Sequence, residues 1–172
     1  MGTRFFRRRN INALFLDRAV NLGEEGVDVA VRIGELPDSS LRATKVGSVR
    51  QVMVATPRYL QRHGTPAHPN DLKSHRLVSA AGLAASPDWR FYSNGKPVTV
   101  RVAARMTVTT NESAIEAIRE GWGMTRLLSY QVAPYLKSGK FKTVLGAFEP
   151  PALPIHVVHL DGRRPTAKVR AL

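Results

Sequence analysis

Apolar positions along the chain alternate between short runs with a period of two and longer stretches with helical spacing. The clearest strand pattern covers residues 27–33, where every second residue is Val or Ile and would lie on one face. The clearest helix follows Thr110 or Asn111 as N-cap, with inward apolar residues at helical spacing until Gly121 ends it. This mixture of strand and helix patterns predicts an α/β fold.

Local signals place further elements. Thr56 and Pro57 provide an N-cap and a first residue for a helix over 57–62, and Asn94-Gly95 is a strong hairpin signal between two strand-like runs. Further helices are predicted at 18–26 and 129–136. Further strands are predicted at 11–16, 41–46, 49–55, 89–92, 97–103, 106–109, 124–127, 141–145 and 155–160.

The chain of 172 residues is strongly basic, with 26 Lys and Arg against 13 Asp and Glu and a formal net charge of +13. Basic domains bind nucleic acids by neutralising phosphates. Here the basic residues are spread along the chain, and only Arg7-Arg8-Arg9 forms a run. No helix-turn-helix, zinc-finger or RNA-binding strand motif accompanies that run. A solvated basic surface is therefore the favoured interpretation, with a nucleic-acid site as the alternative.

The sequence contains no cysteine, which excludes disulfides, thiol nucleophiles and thiolate metal sites. No apolar run approaches the roughly 20 residues that span a bilayer. The first ten residues contain a basic cluster but no apolar leader core. We therefore expect a cytoplasmic protein.

Motifs for catalysis or metal binding are weak. The run from Gly121 to Arg126 imitates a dinucleotide-binding fingerprint, but it ends a helix, and Arg126 stands where the third glycine belongs. His156 and His159 are three residues apart on a predicted strand, so their side chains would point to opposite faces and a shared metal is disfavoured. We expect no enzyme activity, no metal and no cofactor.

The polar run at 109–113 precedes the best helix of the chain. Its hydroxyl and amide groups, together with the unpaired N–H groups of a helix start, would suit a carboxylate or a phosphate. Ordinary N-capping by one of these residues is the alternative, and the residues alone favour it.

Several motifs together resemble the effector-binding domain of LysR-type transcriptional regulators. They follow the order and spacing of that family from about residue 11 to the end of the chain. The similar segments are VNLGEEGVDVAVRIGEL at 20–36, VATPRYL at 54–60, HGTP at 63–66, HPNDL at 68–72, WRF at 89–91, the helix at 111–121, GMTRLLSYQVA at 123–133 and FEPP at 148–151.

The resemblance implies two α/β lobes in the manner of type II periplasmic binding proteins. Lobe I would comprise residues 1–53 and 134–172, lobe II would comprise residues 54–133, and the crossovers would lie near 54–56 and 129–133. A small-molecule effector, such as an organic acid or an aromatic metabolite, would sit between the lobes. Closure around it would shift a conformational equilibrium, and the regulator would form a dimer.

The resemblance also places particular side chains at the cleft. Two arginines and a helix start facing one cleft would favour an anionic effector. Ordinary surface or lobe-bridging charges are the alternative for Arg32 and Arg126. The predicted ligand-binding residues are Asp17, Arg18, Arg32, Thr56, Thr110, Asn111, Thr125 and Arg126.

The sequence departs from the family pattern at both ends. It lacks the N-terminal helix-turn-helix, the linker helix and the first effector-domain strand, and its last helix is truncated. We therefore expect that DNA is bound only through a domain absent from this chain. Two other functions remain as alternatives: a solute-binding protein of similar fold, disfavoured by the missing signal peptide, and a small basic nucleic-acid-binding module.

Overall fold

The computed structural model describes residues 12–14, 21–36, 41–80 and 86–160. Short 3₁₀ turns cover Pro69–Ser74 and Gly146–Phe148. In chain order the helices and strands are β1 Ala30–Ile33, β2 Leu41–Val49, β3 Gln51–Ala55, α1 Pro57–His63, β4 Leu77–Ser79, β5 Asp88–Ser93, β6 Lys96–Arg101, β7 Met106–Thr107, α2 Asn111–Arg119, β8 Met124–Leu128, α3 Ser129–Lys137, β9 Lys142–Val144 and β10 Leu153–Leu160.

These strands form two sheets and a separate hairpin. Strands β1, β10 and β2 make an antiparallel sheet in that order. The other sheet has the order β7-β4-β8-β3-β9, in which β7, β4 and β8 are parallel and β3 is antiparallel to both of its neighbours. Strands β5 and β6 pair with each other. The mixed sheet with helices agrees with the predicted α/β fold.

The chain passes from the three-stranded sheet to the five-stranded sheet at Arg50 and returns after Phe148. Two contacts hold this junction. The Ser129 backbone N–H donates to the Arg50 carbonyl at 2.8 Å, and the Arg50 guanidinium donates to the Glu149 carboxylate at 3.0 Å. Both contacts therefore meet at Arg50, the residue at which the chain passes from one sheet to the other.

Hydroxyl caps define where two helices begin. The Thr56 hydroxyl accepts a hydrogen bond from the Tyr59 backbone N–H at 3.2 Å, and Pro57 is the first residue of α1. The Thr110 hydroxyl accepts one from the Ser113 N–H at 3.1 Å and caps α2. Both helix starts lie where they were predicted, because each is determined by residues within a few positions of the start.

The turn between β5 and β6 lies at Asn94 and Gly95. Both residues have positive φ, 51° and 75°, which is the backbone of a type I′ turn. Asparagine and glycine adopt that conformation at low cost. The predicted hairpin is therefore confirmed.

The core lies on both faces of the five-stranded sheet. On β3, Val52 and Val54 belong to an apolar cluster with residues of α2 and α3, whereas Met53 and Ala55 belong to a second cluster with residues of α1, β5 and β6. Successive side chains of a strand point to opposite faces. A strand buried on both faces therefore needs the continuous apolar run that β3 has.

Some predicted bounds differ from those of the structure. The strand predicted at 27–33 begins at Ala30, and residues 22–26 form a turn in which the Glu25 N–H donates to the Asn21 carbonyl at 3.0 Å. The helix predicted at 18–26 is therefore not helical in its described part, consistent with its two glycines. The strand predicted at 11–16 and the arginine run at 7–9 lie wholly or largely outside the described residues.

The residue bounds of the two lobes stay a prediction. Within residues 134–172, which were assigned to lobe I, β9 pairs with β3 of the five-stranded sheet. The Tyr135 and Phe141 rings stack at 4.8 Å in the cluster beneath α2 and β8. Residues 134–144 therefore pack with the five-stranded sheet, because their apolar side chains complete its core.

Candidate functional site

A cleft of about 330 Å³ opens where the edge of the three-stranded sheet meets the five-stranded sheet. Its walls come from both sheets, from β5 and from the starts of α2 and α3. This volume lies at the lower end of the range for small-molecule pockets. The lining residues are Ile33, Gln51, Val78, Ser79, Ala80, Ser86, Asp88, Trp89, Asn111, Arg126, Leu127, Leu128, Gln131 and Leu153.

Apolar side chains line the cleft from both sides. Ile33 ends β1 and Leu153 begins β10, so the three-stranded sheet contributes both from one end. Leu128 faces them from β8, whereas Val78 and Leu127 border the cleft but are buried in the apolar cluster with residues of α2 and α3. A ligand with an apolar body could therefore contact both sheets at once.

Arg126 is the one cationic side chain among the described lining residues. Its residue lies on β8, paired with Met53 of the central strand β3. The guanidinium carbon lies 4.7 Å from the ring centre of Trp89, a side chain only 4% exposed. This is the geometry of a cation–π contact.

The electrostatic setting of Arg126 is unusual. Burial lowers its pKa to about 10, so the side chain is still protonated at neutral pH. Among the described residues, no carboxylate forms an ion pair with it. The cleft therefore holds a partly desolvated positive charge that the described protein groups do not neutralise.

Neutral polar groups complete the cleft. Ser79 and Ser86 contribute hydroxyls, and the Gln131 side-chain carbonyl accepts a hydrogen bond from the Leu128 N–H at 3.0 Å, which fixes this amide at the start of α3. Asp88 is the one carboxylate of the described lining, and it is exposed. Among the described lining residues, these polar groups accompany one cation, the half-buried Arg126.

Two of the predicted ligand-binding residues, Asn111 and Arg126, line this cleft. Thr110 lies beside them, but its hydroxyl already accepts from the Ser113 N–H and donates to Ser113 Oγ at 2.9 Å. That is the N-capping role which the sequence offered as the alternative. The structure therefore brings together the start of α2 and the arginine of β8.

The other predicted residues lie elsewhere. Thr125 is fully buried, and its hydroxyl donates to the Val78 carbonyl at 2.8 Å. Thr56 caps α1 and is not among the residues of this cleft. Arg32 precedes the lining residue Ile33 on β1, so its side chain points to the opposite face of the sheet. Ligand contacts by these three stay predictions.

Asp17 and Arg18, the remaining predicted pair, lie outside the described residues. Conversely, Trp89, Gln131 and Ser79 line the cleft without being in the predicted set. The alternation of aromatic and polar residues at 89–92 marks Trp89 as inward-facing. Its partner Arg126 lies far along the chain, and only the tertiary fold brings the two together.

In the part of the chain that the structure describes, no group of three or more His, Asp or Glu residues is arranged to hold a metal ion. His156 and His159 both lie on β10 at an odd spacing. Within the same residues, no helix is long and apolar enough to cross a membrane.

Comparison with known proteins gives a family for this chain. The family model of the LysR substrate binding domain matches residues 11–172. The chain is 32% identical over 133 residues to the probable HTH-type transcriptional regulator LtrA of Klebsiella pneumoniae, covering 77% of this chain and 43% of that protein. It is 31% identical over 156 residues to the HTH-type transcriptional repressor PA14_22550 of Pseudomonas aeruginosa, covering 90% and 49%. The chain thus spans about half the length, or less, of these curated relatives.

Solved structures agree with this assignment. The regulatory domain of CrgA, a LysR-type transcriptional regulator from Neisseria meningitidis, matches with a TM-score of 0.76 and 25% identity, covering 88% of this chain and 74% of that one. The regulatory domain of AphB in Vibrio vulnificus matches with a TM-score of 0.70 and 29% identity, covering 86% and 72%. The chain therefore belongs to the LysR substrate-binding domain family and has the two-lobed, periplasmic-binding-protein-like fold of LysR regulatory domains.

Proposed function

We propose that this effector-binding regulatory domain senses a small organic anion in the cleft between its two sheets. Arg126 carries the proposal. It is a protonated side chain, partly removed from water, without a carboxylate partner among the described residues. A charge in such a place is costly unless an opposite charge approaches. A ligand carboxylate or similar group would provide that charge.

Such a ligand would act by contacting both walls of the cleft. Ile33 and Leu153 belong to the three-stranded sheet, and Arg126 to the five-stranded sheet. A ligand that touches both sheets binds a closed arrangement more tightly than an open one, and so shifts the population towards closure. In the full regulator, that shift would be passed to its DNA-binding domains.

The relatives support a place for the chain in a larger regulator. Several are named HTH-type transcriptional regulators and are about twice as long as the matched region. We accordingly assign DNA recognition to a helix-turn-helix domain outside this chain, a dimer as the assembly and the bacterial cytoplasm as the place of action. Sensing is its proposed role, and catalysis is not part of it.

A thermal-shift screen tests the proposal. The chain is melted with a panel of aromatic and aliphatic carboxylic acids and with their amides, which match the acids in shape but lack the charge. A ligand at a hundredfold excess over its dissociation constant stabilises the folded state by about 2.7 kcal/mol. For a chain of this size that corresponds to a rise in Tm of roughly 5–10 °C. We expect at least one acid, and not its amide, to give such a rise.

Two variants show whether the effect depends on the cleft. Arg126→Met removes the cationic group, and we expect it to abolish the rise in Tm. Arg90→Met is the matched control, because it lowers the net charge equally at an exposed position of β5 outside the cleft. The proposal would be contradicted if no acid raised the Tm of the unmodified chain, or if an acid raised the Tm of the Arg126→Met variant by the same amount.

A further inference from the structure

The contact between Arg126 and Trp89 has a chemical consequence for the kind of anion that fits the cleft. Resting on the proposed function, we propose that this pair makes the cleft selective for monocarboxylates. In this arrangement Trp89 acts as a positioning residue that restrains the guanidinium of Arg126, and among the described lining residues no second cation is available to pair with a second carboxylate.

The Trp89 ring is a rigid platform. It is 4% exposed and belongs to the apolar cluster that also contains Phe91, Val100 and Met124. Its strand is paired along its length with β6, where Trp89 stands opposite Val100. A ring held on these sides cannot swing away from Arg126 without opening the core.

The contact with Trp89 restrains the guanidinium of Arg126. Its central carbon lies over the Trp89 ring, 4.7 Å from the ring centre. Its N–H groups lie in its own plane and match the two oxygens of a carboxylate as a pair of parallel hydrogen bonds. Because Trp89 already restrains the Arg126 side chain, less conformational entropy is lost when a ligand binds. This favours a planar anion with two oxygens.

The charges of the described lining residues favour a ligand with one carboxylate. The described lining residues include one cation, Arg126, and one carboxylate, Asp88, which directly precedes Trp89 on β5. A dicarboxylate would place its second charge among neutral groups and near Asp88. Like charges at such sites repel, and an unpaired charge in a cleft loses hydration, so both effects act against the dianion.

The remaining lining suits the body of a monocarboxylate. Ile33 and Leu153 offer apolar surface on one wall, and Leu128 offers it on the other. The volume of about 330 Å³ admits a single ring or a short chain. The inferred class is therefore a small monocarboxylate with an apolar body.

Tryptophan fluorescence provides a direct readout. The chain has two tryptophans, and Trp122 is 46% exposed and not part of the cleft. In the Trp122→Phe variant, emission reports on Trp89 alone. The probes are two matched pairs, benzoate with phthalate and hexanoate with adipate, and benzamide as the uncharged analogue. We expect saturable changes with a monocarboxylate, binding of its dicarboxylate partner weaker by roughly tenfold or more, and no response to benzamide.

Calorimetric titration of further variants tests the positioning role. Arg126→Lys keeps the charge but loses the planar fork, and Trp89→Leu keeps Arg126 but removes the platform. We expect each to weaken binding of the monocarboxylate by about tenfold. Trp89→Phe retains an aromatic ring and replaces Trp89→Leu if that variant does not fold. Its affinity for the monocarboxylate is expected to lie between those of the unmodified chain and of Trp89→Leu. Arg90→Met, outside the cleft, is expected to bind as the unmodified chain does.

The possible results separate the two proposals. Binding of dicarboxylates as tight as that of monocarboxylates overturns the inferred selectivity and leaves the proposed function in place. Unchanged affinity in both Trp89→Phe and Arg126→Lys overturns the positioning role in the same way. Absence of any response to all four acids overturns the proposed function and the selectivity together.

Discussion

At Gly123 the backbone of one strand approaches another so closely that a side chain has no room. A Cβ placed there would lie 2.1 Å from the carbonyl oxygen of Arg76 and 2.8 Å from its carbonyl carbon. The same carbonyl accepts a hydrogen bond from the Met124 N–H at 2.9 Å. Gly123 thus allows β8, the strand that carries Arg126, to pair beside β4.

We predict that Gly123→Ala destabilises the chain by about 2–3 kcal/mol, because the methyl group forces the two backbones apart and strains their hydrogen bonds. Urea unfolding followed by circular dichroism measures this. Gly47→Ala on β2 is the matched control, since its nearest heavy atom would be a flexible Ile155 methyl group 3.9 Å away. A loss of stability no larger at Gly123 than at Gly47 would show that the close approach is not required.

A second residue-level feature is the cluster of Tyr59, His63, His75 and Arg76. The Arg76 N–H donates to the Tyr59 hydroxyl at 3.0 Å, and that hydroxyl lies 3.2 Å from His75 Nδ1. An Nδ1 without a proton accepts the Tyr59 hydrogen, whereas a protonated one cannot. The Arg76 guanidinium contacts His63 Nε2 at 3.0 Å. His63 thus acts on His75 from one side of this cluster, and Asp71 is the nearby acid.

These surroundings predict a pH dependence of stability. The pKa of His75 is lowered from 6.5, chiefly by burial and secondly by His63, while Asp71 opposes the shift. The unfolded chain then binds this proton more readily than the folded chain does. The contribution of the neutral His75 ring to the stability of the folded chain is complete above about pH 6.5. It is lost as the pH falls through the lower folded-state pKa. We expect Tm to fall from pH 7.5 to pH 5.5.

The His75→Gln variant identifies the source of that fall. Glutamine keeps a polar partner for Tyr59 but does not titrate, so its Tm is expected to vary less over the same range. His159→Gln on β10 removes a histidine far from this cluster and is expected to keep the full fall. Equal pH profiles for all three proteins would refute the assignment to His75.

At the scale of elements, α2 depends on its cap. The Thr110 hydroxyl binds the Ser113 N–H, and Ala114, Ile115 and Ile118 bury the inner face of the helix. We predict that Thr110→Ala lowers the free energy of unfolding by about 1 kcal/mol, whereas Thr110→Ser, which keeps the hydroxyl, changes it by a few tenths. Denaturant titration without any ligand measures both, and similar losses in the two variants would argue against the cap.

Elements with local causes could be predicted from the sequence. The cap at Thr110, the proline that begins α1 and the Asn94-Gly95 turn each depend on neighbours within a few residues. The bounds of β1 depend on which distant strand pairs with it, and there the expectation differs from the structure. Pattern along the chain specifies the faces of an element but not its partner.

The candidate site shows the same limit. Arg126 was predicted to lie at the cleft, and the structure places it there, but its contact with Trp89 joins two strands that belong to different sheets. Thr125, its neighbour on β8, points to the opposite face and is bound to the Val78 carbonyl. A shift of one residue on a strand thus decides between the cleft and the core.

At the scale of the whole molecule, the +13 charge is the property that no single contact explains. Dispersed charge attracts any polyanion weakly, and counterion release makes such binding fall steeply with salt. Selective recognition of DNA needs side chains placed at base edges by a groove-binding element. The described helices α1, α2 and α3 each bury apolar residues against the sheet or its clusters.

We therefore predict that this chain binds random duplex DNA weakly near 50 mM salt and loses nearly all of that binding by about 200 mM, without preference among sequences. Gel-shift titrations at both salt concentrations with several unrelated duplexes measure this. Heparin as competitor is expected to remove the complex, because it offers charge without bases. A dissociation constant below about 10⁻⁷ M at physiological salt, or a marked preference for one duplex, would mean that the charge forms a built nucleic-acid site. Weak, unselective binding would instead agree with a dispersed basic surface.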